Sequence, residues 1–504
     1  MKDLKDLRVE IDAVDSEITR LLEQRFDIVR EVGRYKERKG LPILDASREQ
    51  EKIEKLKSLC ESGKAPYAAG VFEEIMAQSR AFQQDHKLQY GLLGSTLGHS
   101  YSPQMHKIIG GYEYGLYERR PEQLDEFFSE GTFKGISVTM PYKRDVIKYC
   151  SELSEQARRC GSVNTIVRRE DGTYYGDNTD YYGFRSTVES SGIDVAGAKT
   201  IVLGSGGVSG TVINVMKDLG ADPVTVISRT GPDNYTNLER HYDAQIIVNT
   251  TPLGMYPNAG EAAIDIRDFP DCRAVFDLIY NPLRTRLMLD ARKAGIPAFG
   301  GLQMLAAQAA KASQMFLGED MDLEAKTDLA VGRMRQGIEN IVLIGMPGCG
   351  KTTKGRKLAE LTGRTFIDCD DKIREDYGRT PERIIKEDGI DHFRDLEVET
   401  IRKVMRRGPD ASGDTPGIIF ATGGGCVERE ENMVPLLENS FVVYLKRELS
   451  QLPRKGRPVS QTDGTEAIFE RRREAYESWS DFQVDCNRRA AEEILDKFLE
   501  RNQL

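Results

Sequence analysis

Residues 340–371 read NIVLIGMPGCGKTTKGRKLAELTGRTFIDCDD. Ile341-Val342-Leu343-Ile344 is short, apolar and mostly β-branched, so it reads as a buried parallel strand. Behind it, Gly345-Met346-Pro347-Gly348-Cys349-Gly350-Lys351-Thr352 satisfies the G-x-x-x-x-G-K-[ST] pattern in full. Gly348 and Gly350 let backbone N–H groups curl around a polyphosphate. Lys351 reaches the outer phosphates, Thr352 holds Mg²⁺, Thr353 joins them at the nucleotide, and the following helix turns its positive end to the anion. Strand, loop and helix together predict an α/β P-loop domain.

A phosphate loop specifies a nucleotide, not its co-substrate. Phe366-Ile367-Asp368-Cys369-Asp370 predicts two carboxylates on one face of the next strand. His392-Phe393-Arg394-Asp395-Leu396-Glu397 follows, then Ala421-Thr422-Gly423-Gly424-Gly425 behind a strand-like Ile418-Ile419-Phe420, then Leu452-Pro453-Arg454-Lys455-Gly456-Arg457-Pro458. In this order, residues 338–504 resemble shikimate kinase. The resemblance implies ATP and Mg²⁺ as cofactors. It assigns Asp368 to the metal shell and makes Asp370 the base or orienter of the attacking hydroxyl. Arg394 and Arg472 become the clamp on the substrate carboxylate, and Gly423, Gly424 and Gly425 its backbone donors. Arg454 and Arg457 become lid residues, reaching the adenine and the transferred phosphate.

Upstream, Thr200-Ile201-Val202-Leu203 reads as a strand opening onto Gly204-Ser205-Gly206-Gly207-Val208-Ser209-Gly210 and a helix. This is a variant of the dinucleotide fingerprint, with Ser209 in place of a third glycine. The next strand, Val224–Ile227, ends in Ser228-Arg229-Thr230 where an NAD enzyme usually places a carboxylate, and Arg229 suits a 2′-phosphate. Before this unit come Ser100-Tyr101-Ser102-Pro103, with Ser102 and Pro103 expected as N-cap and first-turn residue of a helix. Val138-Thr139-Met140-Pro141-Tyr142-Lys143, Gly161-Ser162-Val163-Asn164 and Asp177-Asn178-Thr179-Asp180 follow. Tyr280-Asn281-Pro282-Leu283 and Gly301-Leu302-Gln303 through Gln308 close the set. Residues 87–336 resemble shikimate dehydrogenase, with a substrate lobe (about 87–195 and 300–336) and a Rossmann-like NADP lobe (about 196–299). The resemblance implies NADP(H), a catalytic pair Lys143 and Asp180, and substrate contacts from Ser100, Ser102, Thr139, Asn164, Tyr280 and Gln308. Ser137 and Ser228 stand where the family usually has asparagine. The linker to the kinase segment is expected to be brief, at Gln336-Gly337.

Residues 1–86 read as helical. Leu4, Leu7, Ile11, Val14, Ile18, Leu21, Ile28, Val32 and Tyr35 follow a heptad rhythm. A helix over 3–38 would be about 54 Å long. A unit this small does not cover such a rod, so an intertwined homodimer is expected. Arg25 falls on the apolar stripe, either meeting an anion or snorkelling to water. The full pattern resembles the all-helical chorismate mutases. That resemblance assigns binding roles to Arg8, Arg25, Asp45, Arg48, Glu49 and Ser79, and contacts with the breaking ether oxygen to Lys36 and Gln83. Chorismate rearranges by an intramolecular pericyclic shift, so such a site needs donors that hold a dicarboxylate and stabilise an ether oxygen, not an acid or nucleophile.

At 504 residues the chain exceeds one hydrophobic core. A formal net charge of −10 argues against a nucleic-acid partner. Apolar runs are too short to span a membrane, and the charged N-terminus is no signal peptide. Eight scattered cysteines without a C-x-x-C pair suit reduced thiols in the cytoplasm. The expectation is a multidomain enzyme: an all-α domain (1–86), a two-lobed α/β dehydrogenase (87–336) and an α/β P-loop kinase (338–504). It would reduce 3-dehydroshikimate, phosphorylate shikimate and convert chorismate to prephenate. Three alternatives stay open: a non-catalytic dimerisation or regulatory role for residues 1–86, a quinate-type NAD substrate range for the middle domain, and a different small-molecule acceptor for the last.

Overall fold

A computed structural model describes residues 2–39, 41–61, 63–85, 89–98, 100–256, 259–405, 416–452 and 464–502. The chain divides into two compact units: 1–98 with 112–154 and 162–177, and 99–111 with 155–161 and 178–504. The expected boundary at 86/87 therefore falls inside the first unit, and the one at 336–338 inside the second.

The first unit begins with α1 (Leu4–Lys39), α2 (Ala46–Ser58) and α3 (Ala65–Asp85). α1 lacks internal proline and ends in basic residues Lys36, Arg38 and Lys39, which suit the negative end of the helix dipole. Asp45 caps α2, accepting from the Arg48 N–H at 3.1 Å. Ile53, Ala69 and Met76 form a small core between α2 and α3. Of α1, only Val29 is buried, whereas Leu4, Leu7, Ile11, Val14, Ile18 and Leu21 remain 41–62% exposed. The same unit holds a six-stranded mixed sheet in the order Gly115–Glu118, Tyr90–Gly94, Gly135–Val138, Thr165–Arg168, Tyr174–Asp177 and Glu152–Leu153. The end of α1 docks on this sheet through the Arg38–Glu118 ion pair (3.0 Å) and the Arg119 bond to the Glu37 carbonyl (2.7 Å).

The second unit contains two all-parallel five-stranded sheets. One runs Ala298–Gly300, Ala274–Asp277, Ile246–Asn249, Thr200–Leu203, Val224–Ile227; the other Phe366–Asp368, Ile419–Ala421, Asn340–Ile344, Ser440–Lys446, Phe482–Asp485. In each, the strand leading into the glycine-rich loop has neighbours on both sides, so the loop opens above the carboxyl ends of the sheet.

Three local expectations are corrected. Helix Leu323–Ile338 runs straight through Gln336 and Gly337, leaving only Glu339 before strand Asn340–Ile344. Its heptad-spaced Ala330, Val331 and Met334 pack against helix Leu302–Leu317, which outweighs the glycine. Asp370 does not share a strand face with Asp368: the strand stops at Asp368, which caps helix Cys369–Tyr377 by accepting from the Asp370 N–H at 3.0 Å. Ser102 is the first residue of helix Ser102–Gly110 rather than its cap. The Ser100 hydroxyl accepts from the Ser102 N–H at 3.2 Å instead.

Candidate functional site

The phosphate loop carries the clearest geometry. Gly350 stands at φ +110° before helix Lys351–Thr362, and a Cβ there would lie 2.6 Å from Cys486 Sγ. Only glycine suits that position. Lys351, 8% exposed, donates to the Gly345 and Met346 carbonyls at 2.8 and 3.2 Å, which holds its ammonium across the mouth of the loop. The Thr352 hydroxyl donates to Asp368 Oδ2 at 2.7 Å. A hydroxyl paired with one carboxylate, beside a phosphate cradle, is the donor set Mg²⁺ takes alongside nucleotide oxygens. The residues present thus fit both ATP and its metal.

Gly423–Gly425 bind this loop to a second feature. A Cβ on Gly424 would come within 2.6 Å of Pro347 Cγ, and one on Gly425 within 1.6 Å of Arg394 Nη2. Arg394 and Arg472 are almost fully buried. They converge on one carboxylate: Glu428 Oε2 accepts from Arg394 Nη2 at 2.9 Å and from Arg472 Nη2 at 3.0 Å. Arg471 donates to its other oxygen at 2.8 Å. Burial pushes the Glu428 carboxyl up, but Arg472 and Arg394 outweigh it and leave it below the usual range. Arg394 also donates to the buried Glu397 at 2.7 Å, and Arg472 to the Gly424 carbonyl at 3.1 Å. Among the described residues, the Nε–H groups of both arginines are buried without a partner. Two guanidiniums already hold one carboxylate and keep further donors, which is the chemistry of a carboxylate clamp. Asp370 has surface open to solvent, yet surrounding protein and then the Asp368 and Glu397 charges push its pKa up to about 6. Arg454 and Arg457 lie outside the described residues.

In the dinucleotide lobe, a cavity of about 730 Å³ is lined by Gly204, Ser205, Gly206, Ser228 and Arg229, with Thr250, Thr251 and Tyr256 opposite. Gly207, Val208 and Thr230 are not in its wall. Ser209, where the third glycine was missing, donates from its hydroxyl to the Gly206 carbonyl at 2.7 Å and so braces the turn. Exposed Arg229 at the rim, with no acid in the wall, fits a 2′-phosphate.

The substrate-lobe residues divide between the units. In the first, the Val138 N–H bonds the Asn164 carbonyl and the Val163 N–H bonds the Lys143 carbonyl, both at 2.7 Å. These bonds set Thr139, Lys143 and Asn164 side by side. In the second, Asp180 lies in the first turn of helix Thr179–Ser190, capped by Asn178. The Thr179 hydroxyl lies 3.4 Å from Gln308 Oε1. Tyr280 packs its ring 5.6 Å from that of Tyr101, between Ser100 and Ser102.

Among the helices, Arg25 donates from Nη1 to the Ser79 hydroxyl, and burial lowers its pKa. Lys36 donates to the Ile43 carbonyl at 2.6 Å. Asp45 sits within reach of the Lys36 charge, its carboxyl lowered first by the Arg48 N–H bond. Glu49 pairs with Arg80 at 2.5 Å. Gln83 donates to the Val29 carbonyl at 3.2 Å and leaves a buried amide oxygen without a donor. Arg8 and Arg48 are exposed.

Comparison with known proteins accounts for each region. Family models described as "Chorismate mutase type II", "Shikimate dehydrogenase substrate binding domain" and "Shikimate kinase" match residues 7–84, 92–166 and 347–503. A "Shikimate dehydrogenase (NADP(+))" of Clostridium beijerinckii is 34% identical over 248 residues, 45% of this chain and 91% of that protein. The chain belongs to the shikimate dehydrogenase family. A relative of the same description from Caldicellulosiruptor bescii is 35% identical over 257 residues, 45% of this chain and 88% of its own. A solved chorismate mutase/shikimate 5-dehydrogenase fusion protein from Clostridium acetobutylicum is 36% identical, covers 48% of this chain and 94% of its own, and has a TM-score of 0.46.

In the shikimate dehydrogenase module, sequence reasoning missed a buried polar brace. Asp277 accepts from Asn249 at 3.0 Å, Thr285 at 2.6 Å and the Ile279 N–H at 3.1 Å. Burial nevertheless pushes its pKa up to about 6. It ties the strand ends that carry Thr250, Thr251 and Tyr280. The signal, Asn249 and Asp277 each ending an apolar strand, was present but not paired. Glu428 was missed outright; it stands 34 residues from Arg394, and no local pattern links them.

Proposed function

We propose that the chain is a trifunctional enzyme of the pathway to chorismate and the aromatic amino acids. It reduces 3-dehydroshikimate to shikimate, phosphorylates shikimate, and rearranges chorismate to prephenate. The observation that carries this reading is the arginine pair Arg394 and Arg472 closing on a carboxylate beside the phosphate loop. It favours a carboxylate-bearing acceptor over a neutral sugar. NADPH supplies a hydride, and ATP with Mg²⁺ a phosphoryl group, when bound. Lys143 gives a proton to the alkoxide left by reduction, and Asp180 orients the substrate hydroxyl. Asp370 takes the proton of, or orients, the attacking ring hydroxyl, and Lys351 offsets the charge on the transferred group. Arg25 and Arg48 hold chorismate carboxylates, Asp45 and Glu49 its ring hydroxyl, and Lys36 and Gln83 meet the ether oxygen. No described helix is long and apolar enough to cross a membrane, and the free cysteines suit a reducing cytoplasm.

Purified full-length protein tests the whole reading. Given dehydroshikimate, NADPH and ATP it should release shikimate 3-phosphate, and given chorismate it should release prephenate. Phosphorylation of gluconate but not shikimate, or chorismate binding without turnover, would replace the corresponding activity.

Arg229→Ala is expected to raise KM for NADPH about tenfold while leaving KM for NADH unchanged, as loss of a charged hydrogen bond to a 2′-phosphate requires. Equal changes for both cofactors would detach Arg229 from that phosphate.

The exposed apolar row of α1 supports a homodimer, with Arg8 entering the partner's site. Ile11→Asp with Ile18→Asp should give a monomer by light scattering and abolish prephenate formation, with dehydrogenase and kinase rates retained. A dimer that survives both changes would exclude this face as its interface.

A further inference from the structure

We propose that the junction of the dinucleotide lobe and the kinase module holds a binding site for a small hydroxylated anion. A cavity of about 300 Å³ opens there, with Thr187, Ser190, Gln303, Arg335, Glu339 and Arg501 in its wall. That volume is at the lower end of small-molecule sites. The wall is built from regular elements: the end of helix Thr179–Ser190, the start of helix Leu302–Leu317, the last turn of helix Leu323–Ile338, and the C-terminal helix Ala490–Asn502. Sites on such elements hold their geometry better than sites on loops.

Charge around the cavity is unbalanced. Arg284 and Arg292 both pair with Asp481, at 2.9 and 2.8 Å, and Arg501 approaches Glu339 at 3.3 Å and Asp481 at 3.7 Å. Arg335 adds a fourth guanidinium against these two carboxylates, an excess of two positive charges. Among the described residues the Arg335 guanidinium makes no hydrogen bond or ion pair, although the residue is half-buried in the wall. A guanidinium taken out of water without an acceptor is costly, and an incoming anion relieves that cost.

The opposite requirement stands beside it. Glu339 is 2% exposed, and among the described residues its buried Oε2 has no donor. The hydroxyl protons of Thr187 and Ser190, both residues of the wall, go to the Gly183 and Thr187 carbonyls, so these oxygens are left as acceptors. A ligand that satisfies both sides brings a carboxylate or phosphate to Arg335 and hydroxyl donors to Glu339 Oε2. It would touch helix Leu302–Leu317, which carries Gln308, and the kinase's last helix at once. None of the residues assigned to the three reactions lies in this wall.

Calorimetric titration of the full-length chain tests the site, with NADPH and a non-hydrolysable ATP analogue saturating. Quinate is the carboxylate probe and glycerol 3-phosphate the phosphate probe. At least one is expected to bind at a site that Arg335→Met weakens tenfold or more, with dehydrogenase and mutase rates unchanged. The probe that responds identifies the anionic group. Identical isotherms for parent and variant with both probes would overturn the proposal. Should Arg335→Met fail to fold, Ser190→Phe fills the cavity from the far wall, and undiminished binding by that variant overturns it equally.

Discussion

Arg472→Ala is expected to lower kcat/KM for shikimate by about 10²–10³-fold while leaving the dehydrogenase and mutase rates unchanged. Arg472 is 2% exposed and spends one Nη on the Gly424 carbonyl and the other on Glu428. Truncating it removes a desolvated cation from the site proposed for the substrate carboxylate. A charge pair of this kind is worth about 2–5 kcal/mol when one partner is deleted. Glu428 keeps Arg394 and Arg471, so the local fold survives and the loss falls on binding. It should therefore appear mainly in KM, because a carboxylate remote from the reacting hydroxyl is held alike in ground and transition states. Arg472→Lys should recover little, since an ammonium does not reproduce two parallel donors. Steady-state kinetics at fixed ATP decides it; a fall of less than tenfold would remove Arg472 from the clamp.

Asp481→Ala is expected to destabilise the kinase module by about 3–5 kcal/mol, because it strands the largely buried Arg284 guanidinium. Asp481 accepts from Arg284 Nη1 at 2.9 Å, Arg292 Nη1 at 2.8 Å and the Val442 N–H at 3.0 Å. Around it, the Leu283 N–H bonds Asn439 at 2.8 Å and the Arg284 N–H bonds the Glu438 carbonyl at 2.9 Å. Leu289 is buried in the kinase core. One carboxylate thus joins two catalytic modules. Burial pushes its pKa up, but Arg284 and then Arg501 outweigh this and hold it far below the ordinary value. A carboxyl with a depressed folded-state pKa contributes stability that is full above its unfolded value of about 3.9 and is lost as pH falls below that. The gap between parent and Asp481→Ala in urea midpoint should be widest near neutral pH and close progressively below about pH 4. A gap independent of pH would attribute the loss to packing instead of charge.

Much of both P-loop and dinucleotide regions was legible because each is a local unit. In Ile341–Thr352 the strand, the loop and the helix start are consecutive residues, and a glycine at φ +110° is demanded by neighbours in the same segment. The same holds for Thr200–Ser209, whereas Ser79 was named only through the resemblance and meets Arg25 across 54 residues. Asp370 misled because a two-residue spacing suits a strand face, while Asp368 instead spends its carboxylate on capping the following helix. Gln336-Gly337 misled because a glycine near a change of pattern looks like a linker. The helix is carried through it by packing against helix Leu302–Leu317.

What the chain determined by itself was the kind of chemistry at each station: phosphate cradle, dinucleotide turn, and a helical stripe with arginine in it. These depend on backbone angles and short-range periodicity, which a few neighbouring residues impose. What only the tertiary structure decided was which charges meet. Glu428 between Arg394 and Arg472, Asp481 beneath Arg284, and Arg335 and Glu339 in one cavity wall join residues from different elements of the fold. Electrostatic free energy depends on distance and burial, and both are properties of the packed core, not of any segment.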